Sequence, residues 1–239
     1  MLCDGCAMTD DEVFAAVQAL VAAGEYLDEL PAAPLVQVQL PEGRRWFGRG
    51  YRRGSPQHLA ARAAGGVVRL PPLAPASQDA VTQAEKLVGH RLPQLLRRLY
   101  LEVGNGGFGP GYGILGVRGG HSGEGHRSAV DLFPWSWSPS APPAAAAVLL
   151  PVCYWGCGIY SLVDCADRDA GMWGWDPNPA PDHDNVVALF AQGMTFAEWL
   201  ARWVAGRLYQ PALVEDPVTG QWRGATDQEY AAWVAELES

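Results

Sequence analysis

The sequence predicts an α+β fold with N-terminal helices, a mostly antiparallel sheet of about five to six strands, and a closing C-terminal helix. Helical apolar spacing dominates the chain before residue 104, whereas short apolar runs between turn residues dominate from 112 to 190. A helical pattern then returns at Thr195. The chain has 239 residues, 49% of them hydrophobic, which is enough to bury a large core.

The first helix is predicted to begin after Thr9. Thr9 and Glu12 have the spacing of a capping box, in which each side chain accepts a hydrogen bond from the other residue's backbone N–H. Gly24 ends the helix, because glycine easily adopts the left-handed conformation that closes one. Met8 directly precedes the cap, so Met1 and Met8 are both candidate start positions. The apolar residues at helical spacing are Val13, Phe14, Val17, Leu20 and Val21.

Short strands and loops are predicted between residues 35 and 76. The stretch "LVQVQL" alternates apolar and polar residues, as a half-exposed strand does. The segment "EGRRWFGRGYRRG" is rich in arginine and glycine but matches no nucleotide-binding fingerprint, which favours a solvated hairpin or loop over a phosphate site. The stretch "GVVRLPPLAP" predicts a short strand and a proline-rich connector.

Two more helices are predicted between residues 77 and 104. Ser77 is suited to cap the first of them, which ends at Gly89. Pro93 lies in the first turn of the second, where proline is favoured, and Gly104 ends that helix. The predicted buried face of the second helix consists of Leu95, Leu96, Leu99, Tyr100 and Val103.

A structural turn is predicted at Asn105, Gly106 and Gly107. These residue types adopt positive φ most easily, so we expect at least one of the three to be left-handed. Such a turn redirects the chain sharply from the helix into a predicted strand over "YGILGV".

The chain from residue 148 to 190 predicts an antiparallel meander. The runs "VLLPVCYW" and "GIYSLVD" flank Gly156-Cys157-Gly158, which is a hairpin signal. The runs "GMWGWD" (171–176) and "NVVALF" (185–190) predict the next two strands.

Thr195 and Glu198 form a second capping box, and the helix that they open ends at Gly206. The apolar face of this helix is predicted to consist of Phe196, Trp199, Leu200, Trp203 and Val204.

Three units follow from these patterns. Residues 1–69 are predicted to form an extension of one helix and short strands that packs on the core. Residues 70–206 form the main domain, and residues 207–239 add a turn at "DPVTG" and a short helix over about 227–238.

Charge and composition exclude several function classes. The net charge is −9, which argues against a nucleic-acid partner, and no apolar run is long enough to span a membrane. Residues 1–120 have 12 basic and 11 acidic side chains, whereas residues 121–239 have 5 basic and 15 acidic ones. The second part therefore has a formal charge of −10. This excess of acid either attracts a basic partner or only keeps the protein soluble.

The five cysteines are odd in number and do not have the spacing of a disulfide framework. The N-terminus also lacks the features of a secretory signal, so we expect a reducing, cytoplasmic location. Cys3 and Cys6 have the spacing of half a zinc site, but no second half is apparent, and we predict no metal and no cofactor.

Candidate catalytic and cation-binding patterns are incomplete. The stretch "GHSGE" (120–124) lacks the last glycine of a nucleophile elbow, so we predict no catalytic residues. The acidic groups lack EF-hand spacing or lie at a predicted hairpin turn, where aspartate is common. These groups are Asp176, Asn178, Asp182, His183 and Asp184 in one loop, and Asp164, Asp167 and Asp169 in another.

Ten tryptophans are the most unusual feature of the sequence. Trp199 and Trp203 are four residues apart on a helix and are expected in the core. For the pairs Trp135/Trp137 and Trp173/Trp175, both core packing and a partner-binding face remain open. The candidate partner-binding residues are Asp131, Trp135, Trp137, Tyr154, Trp155, Trp173, Trp175 and Asp176.

The order of several motifs resembles the SUKH superfamily of immunity-protein domains and fungal cell-wall-synthesis regulators. The resemblance covers about residues 70–206 and rests on the stretches "EVGNGGFGPGYG", "YWGCGIYSLVD", "WGWDPN" and "TFAEWLARWVAG". The motif residues are Glu85, Gly89, Leu92, Pro93, Leu99, Asn105, Gly106, Gly107, Gly156, Gly158, Asp164, Phe196 and Trp199.

The resemblance implies an α+β fold without cofactor or catalysis. It implies a protein partner, and for many relatives that partner is a cognate toxin, often a nuclease. We therefore expect an immunity protein that binds a toxin domain, and the acidic second half of the chain would suit a basic one. An intracellular adaptor or scaffold without a toxin partner is the alternative.

Overall fold

The computed structural model describes residues 8–27, 35–39, 45–49, 54–65, 69–133, 148–180 and 187–237, and these form the predicted α+β fold. The helices are α1 (Asp10–Ala23), α2 (Pro56–Ala63), α3 (Gln78–Val88), α4 (Gln94–Glu102), α5 (Phe196–Val204) and α6 (Asp227–Leu237). The strands are β1 (Leu35–Gln39), β2 (Arg45–Arg49), β3 (Leu149–Gly156), β4 (Ile159–Asp164), β5 (Gly171–Trp175), β6 (Leu189–Thr195), β7 (Leu213–Glu215) and β8 (Trp222–Gly224).

Local capping chemistry sets the helix ends. Thr9 with Glu12 and Thr195 with Glu198 both form the predicted reciprocal capping boxes. The hydroxyl of Ser77 accepts the N–H of Ala80 in the first turn of α3, and Gly89 closes that helix with a φ of +77°. Pro93 lies one position earlier than predicted, as the N-cap of α4. The predicted buried face of α4 is confirmed, since Leu95, Leu96, Leu99, Tyr100 and Val103 are all buried.

The main sheet is antiparallel, with the strand order β3-β4-β5-β6. Among the described residues this sheet has four strands, whereas the sequence predicted a sheet of about five to six. The other strands form two separate two-stranded ribbons, β1–β2 and β7–β8. The hairpin between β3 and β4 turns at Cys157, whose φ is +51°. Strand β6 was predicted over 185–190 but runs from Leu189 to Thr195, because Thr195 pairs with Gly171 at the start of β5.

The predicted strand over "YGILGV" is wrong. The glycines at 109, 111 and 113 all have positive φ, which interrupts an extended run. The segment still lies along the outer edge of β3, where Ile114 forms an isolated bridge with Cys153. The N–H of Leu115 donates to the carbonyl of Val152 at 2.8 Å, and that of Tyr112 to the carbonyl of Tyr154 at 3.2 Å. An irregular, glycine-rich segment therefore covers this sheet edge.

The core lies between the sheet and the helices. Helix α5 packs on β5 and β6 and contacts both α1 and α4. Trp199 and Trp203 on α5 are buried, as their spacing predicted. No helix in the described part of the chain has the length and apolar character needed to cross a bilayer.

Candidate partner-binding surface

The glycine-rich segment 105–121 is folded back on itself by hydrogen bonds. The carbonyl of Asn105 accepts the N–H of His121, and its side-chain oxygen accepts the N–H of Val117, at 2.8 and 2.9 Å. Gly106 and Gly107 have φ values of +75° and +84°. A Cβ on Gly106 would overlap the backbone of Gly116, with its nitrogen only 2.6 Å away. Glycine is therefore required there by both conformation and space.

An aromatic cluster lies where this segment meets the β3–β4 hairpin. The rings of Tyr112 and Tyr154 stack at 5.7 Å, and Tyr154 lies 4.9 Å from the buried ring of Tyr160. Tyr112 is 37% exposed, whereas Tyr154 and Trp155 are half-buried. We call Tyr112, Tyr154 and Trp155 the aromatic cluster.

Glycines make room for the aromatic cluster. A Cβ on Gly111 would lie 3.0 Å from the ring of Trp155, and one on Gly156 would lie 3.3 Å from the ring of Tyr112. The backbone thus approaches both rings more closely than most side chains would allow. Glycine backbone thus packs against one side of the Trp155 ring at Gly111 and one side of the Tyr112 ring at Gly156.

The side chain of Trp155 is also held by contacts with buried residues of β4 and α5. Its indole N–H donates to the hydroxyl of the fully buried Ser161 at 3.0 Å, and Gln192 donates to the same oxygen at 3.3 Å. Its ring meets that of Trp199 edge-on at 6.5 Å. This side chain therefore has a fixed orientation.

His121 supports the cluster through the backbone. Its Nε2 lies 2.8 Å from the carbonyl oxygen of Tyr112. Burial lowers the pKa of His121. Because a carbonyl oxygen only accepts, Nε2 is the donor in this contact. Residues 120–123 form an irregular loop and do not have the strand–turn–helix context of a nucleophile elbow.

Two of the predicted partner-binding residues do not lie on the surface. Trp175, at the end of β5, and Asp176, directly after it, are each only 1% exposed. The carboxylate of Asp176 accepts the N–H groups of Leu213 and Asn178, both at 3.1 Å. Asp176 therefore stabilises the backbone at Leu213 and Asn178. Neither Trp175 nor Asp176 belongs to the candidate surface.

The other predicted residues have different positions. Trp173 is half-buried on β5, with β4 between it and the aromatic residues of β3, and Trp135 and Trp137 lie outside the described residues. Asp131 is exposed, and hydrogen bonds from the hydroxyl and N–H of Ser128 lower its pKa, helped by the nearby Arg118. That neighbouring cation offsets the charge that Asp131 would present to a partner.

Tyr112 is the surface residue that sequence reasoning missed. It stands in "PGYG", between two glycines that suggested only a turn. A large aromatic residue in a run of glycines was the available signal, since such a residue has few local neighbours to bury it.

The predicted carboxylate groups serve as turn residues. Asp164 accepts the N–H groups of Val148 and Ala166, and Asp167 accepts those of Asp169 and Gly171. Within the described ranges, no three His, Cys, Asp or Glu side chains come together as a metal site. Cys3, Cys6 and the loop residues Asp182, His183 and Asp184 lie outside those ranges.

Comparison with protein families identifies the family of most of this region. The model of the SMI1 / KNR4 family (SUKH-1) matches residues 75–202, which is more than half of the chain. The chain belongs to the SUKH-1 family. Searches among curated proteins and among solved structures found no match.

The SUKH-1 match runs from just before α3 almost to the end of α5. It includes the glycine-rich segment and the whole aromatic cluster, whereas α1, β1, β2 and α2 precede it and β7, β8 and α6 follow it. Within it, Glu85 accepts the N–H of Leu92 at 3.3 Å and pairs with Arg97 at 3.4 Å. This motif residue therefore joins α3 to α4.

Proposed function

We propose that this SUKH-1 protein is a non-catalytic binding domain of the immunity type, which neutralises a cognate toxin by occluding it. The observation that carries the proposal is the aromatic cluster, in which the exposed Tyr112 stacks on Tyr154 and packs against the backbone of Gly156. Tyrosine and tryptophan dominate the energetics of protein interfaces, and rigid ones lose little entropy on binding.

The acidic charge of the chain indicates that the proposed partner is basic. Residues 121–239 have a formal charge of −10, which attracts a basic toxin domain and speeds the encounter. Nucleic acid is disfavoured as a direct partner by the same sign. Three described cysteines, Cys153, Cys157 and Cys165, form no disulfide, in keeping with the cytoplasmic location that we propose.

An adaptor or scaffold without a toxin partner is the alternative. It is favoured by the elements on both sides of the family match, because α1 packs on α5 and the C-terminal elements pack on β6. Such additions enlarge the surface of the family domain and give it further faces for other partners.

The test is calorimetric titration against the C-terminal domain of a secreted protein encoded by the adjacent reading frame. We expect tight binding by the native chain and a loss of about tenfold or more in affinity for Tyr112→Ala. Leu87→Ala is the matched control, since Leu87 is an exposed apolar side chain on α3, outside the aromatic cluster.

Two results would contradict the proposal. Absence of binding to the neighbouring product would favour the adaptor. Binding that Tyr112→Ala and Leu87→Ala leave equally strong, with both variants folded by circular dichroism, would remove the aromatic cluster from the interface.

A further inference from the structure

The backbone of Tyr112 is held by hydrogen bonds on both sides. Its N–H donates to the carbonyl of Tyr154 at 3.2 Å, and its carbonyl accepts a hydrogen bond from Nε2 of His121 at 2.8 Å. Gly111 and Gly113, the residues on either side, both have positive φ and carry no side chain that could anchor the segment. The position of this exposed aromatic residue therefore depends on contacts with β3 and with His121.

His121 is itself fixed by its own backbone. Its N–H donates to the carbonyl of Asn105, and its carbonyl accepts the N–H of Gly116, both at 2.8 Å. The half-buried imidazole lies beside the backbone of Gly107, where a Cβ would be 3.6 Å from its Cγ. The ring therefore bridges the structural turn at Asn105–Gly107 and the peptide group of Tyr112.

The described contacts of the His121 ring are with uncharged backbone groups. Burial lowers its pKa below the ordinary value of 6.5, against a smaller opposing effect of the Tyr112 carbonyl. Of the charged and titratable groups nearby in sequence, Arg118 is close enough to Asp131 to lower the pKa of that carboxyl, and His126 is exposed. A proton on His121 would therefore add a positive charge one hydrogen bond away from the main chain of Tyr112.

We propose that His121 is a positioning residue for Tyr112, and that its protonation in mild acid weakens the binding of a basic partner to the aromatic cluster. The inference rests on the proposed function, because it concerns the same surface. A basic partner that covers Tyr112 brings cations close to the imidazole and removes water from it, and both effects disfavour a positive charge on the ring. The complex therefore binds fewer protons than the free chain does. The affinity falls, in consequence, as the pH drops below 6.5, the ordinary value for histidine.

The test is calorimetric titration at several pH values, with the C-terminal domain encoded by the adjacent reading frame as the probe. We expect the affinity of the native chain to fall by about threefold or more between about pH 7.5 and about pH 5.5. His121→Gln keeps a donor for the Tyr112 carbonyl but cannot take up a proton. It should therefore bind like the native chain at the higher pH and lose less affinity at the lower pH. Groups of the probe titrate equally in both experiments, so the difference between the two profiles belongs to His121.

Two further variants complete the series. His121→Ala should bind more weakly at both pH values, because the Tyr112 carbonyl loses its donor. His126→Asn is the matched control, since it removes an exposed imidazole from the same loop, and asparagine tolerates the φ of +57° at this position. It should keep the pH profile of the native chain.

A second readout needs no partner. In the free chain, amide exchange at Tyr112 should accelerate in His121→Ala and return to the native rate in His121→Gln. Identical pH profiles of the native chain and His121→Gln, or loss of the pH dependence in His126→Asn, would overturn the proposal and leave the proposed function standing. Native exchange at Tyr112 in His121→Ala would overturn the positioning role. Absence of binding at every pH would overturn the proposed function and with it the acid sensitivity, whereas the exchange rates would still decide whether His121 positions Tyr112.

Discussion

The side-chain oxygen of Asn105 accepts a hydrogen bond from the backbone N–H of Val117 at 2.9 Å. This bond closes the glycine-rich segment across twelve residues and holds the loop that carries Tyr112 between its ends. The adjacent carbonyl of Asn105 adds a second closure through the N–H of His121. A side chain at the end of α4 thereby determines where an aromatic surface residue stands.

Removal of this side chain should loosen the loop. We expect Asn105→Ala to lower the free energy of unfolding by about 1–3 kcal/mol, because the N–H of Val117 loses its acceptor. Chemical denaturation measures the loss, and amide exchange at Val117 should accelerate. Asn105→Asp keeps an acceptor oxygen and is the matched control. Equal stability of Asn105→Ala and the native protein would contradict this role.

The two neighbouring glycines should differ in their tolerance of a methyl group. Gly107→Ala should cost about 1–2 kcal/mol, the usual penalty of a left-handed conformation. Gly106→Ala should cost more, since its Cβ would also overlap the backbone of Ile114 and Gly116. Gly89→Ala is the control for conformation alone, because its φ is +77° and no atom lies within 4 Å of its Cβ position. If thermal melts showed the same loss of stability for Gly106→Ala and Gly89→Ala, the overlap of the Gly106 Cβ with the backbone would have no measurable cost.

Low pH should destabilise the C-terminal segment, residues 207–239, because it protonates a carboxylate that is paired with Arg223. Arg223 donates two hydrogen bonds to Glu229 at 2.9 Å, and chiefly for this reason the pKa of Glu229 falls from 4.5 to about 2. A lowered pKa contributes stability above pH 4.5, and this contribution is lost as the pH falls through 2. We expect amide exchange in α6 to accelerate in that window.

Glu229→Gln is the matched variant for the acid experiment, because it cannot titrate. Its α6 should exchange faster at neutral pH and depend less on pH between 4.5 and 2. Asp216 also accepts from Arg223, at 3.2 Å, so some pH dependence should persist in the variant. An identical pH profile for both proteins would remove Glu229 from the acid response.

Salt should slow association with a basic toxin. The acidic half of the chain attracts such a partner over a distance that shrinks from about 30 Å to about 8 Å between 0.01 and 0.15 M ionic strength. Stopped-flow measurements should therefore show a falling association rate and a nearly constant dissociation rate. Tyr112→Ala should have the opposite signature, with faster dissociation at any salt. An association rate independent of salt would contradict electrostatic steering.

Much of the architecture could be predicted from short stretches of sequence. The caps at Thr9, Ser77 and Thr195 and the positive φ of Gly106 and Gly107 depend on atoms only a few residues apart. The buried face of α4 follows from helical periodicity in the same way. Such local rules hold because neighbouring residues in the chain are also neighbours in space.

The length of β6 and the segment that covers the edge of β3 are both determined by pairing between residues that are distant in sequence. Strand β6 reaches Thr195 because Gly171 pairs with it, and no apolar pattern in "AQGMT" signals this. The segment around Ile114 has strand-like composition, but its glycines let it follow β3 without becoming a regular strand. Sequence patterns could not show either pairing.

Trp173 and Trp175 show both what the sequence determines and what only the tertiary structure decides. Their spacing places both side chains on one face of β5, and sequence alone determines that alternation. Trp175 lies between Tyr160 and Leu189 and is buried, whereas Trp173 lies beside the exposed Ala191 and stays half-buried. Strand periodicity determines the side to which a residue points. Only the packing of distant segments decides how far that side is covered, and hence which aromatic residues remain at the surface.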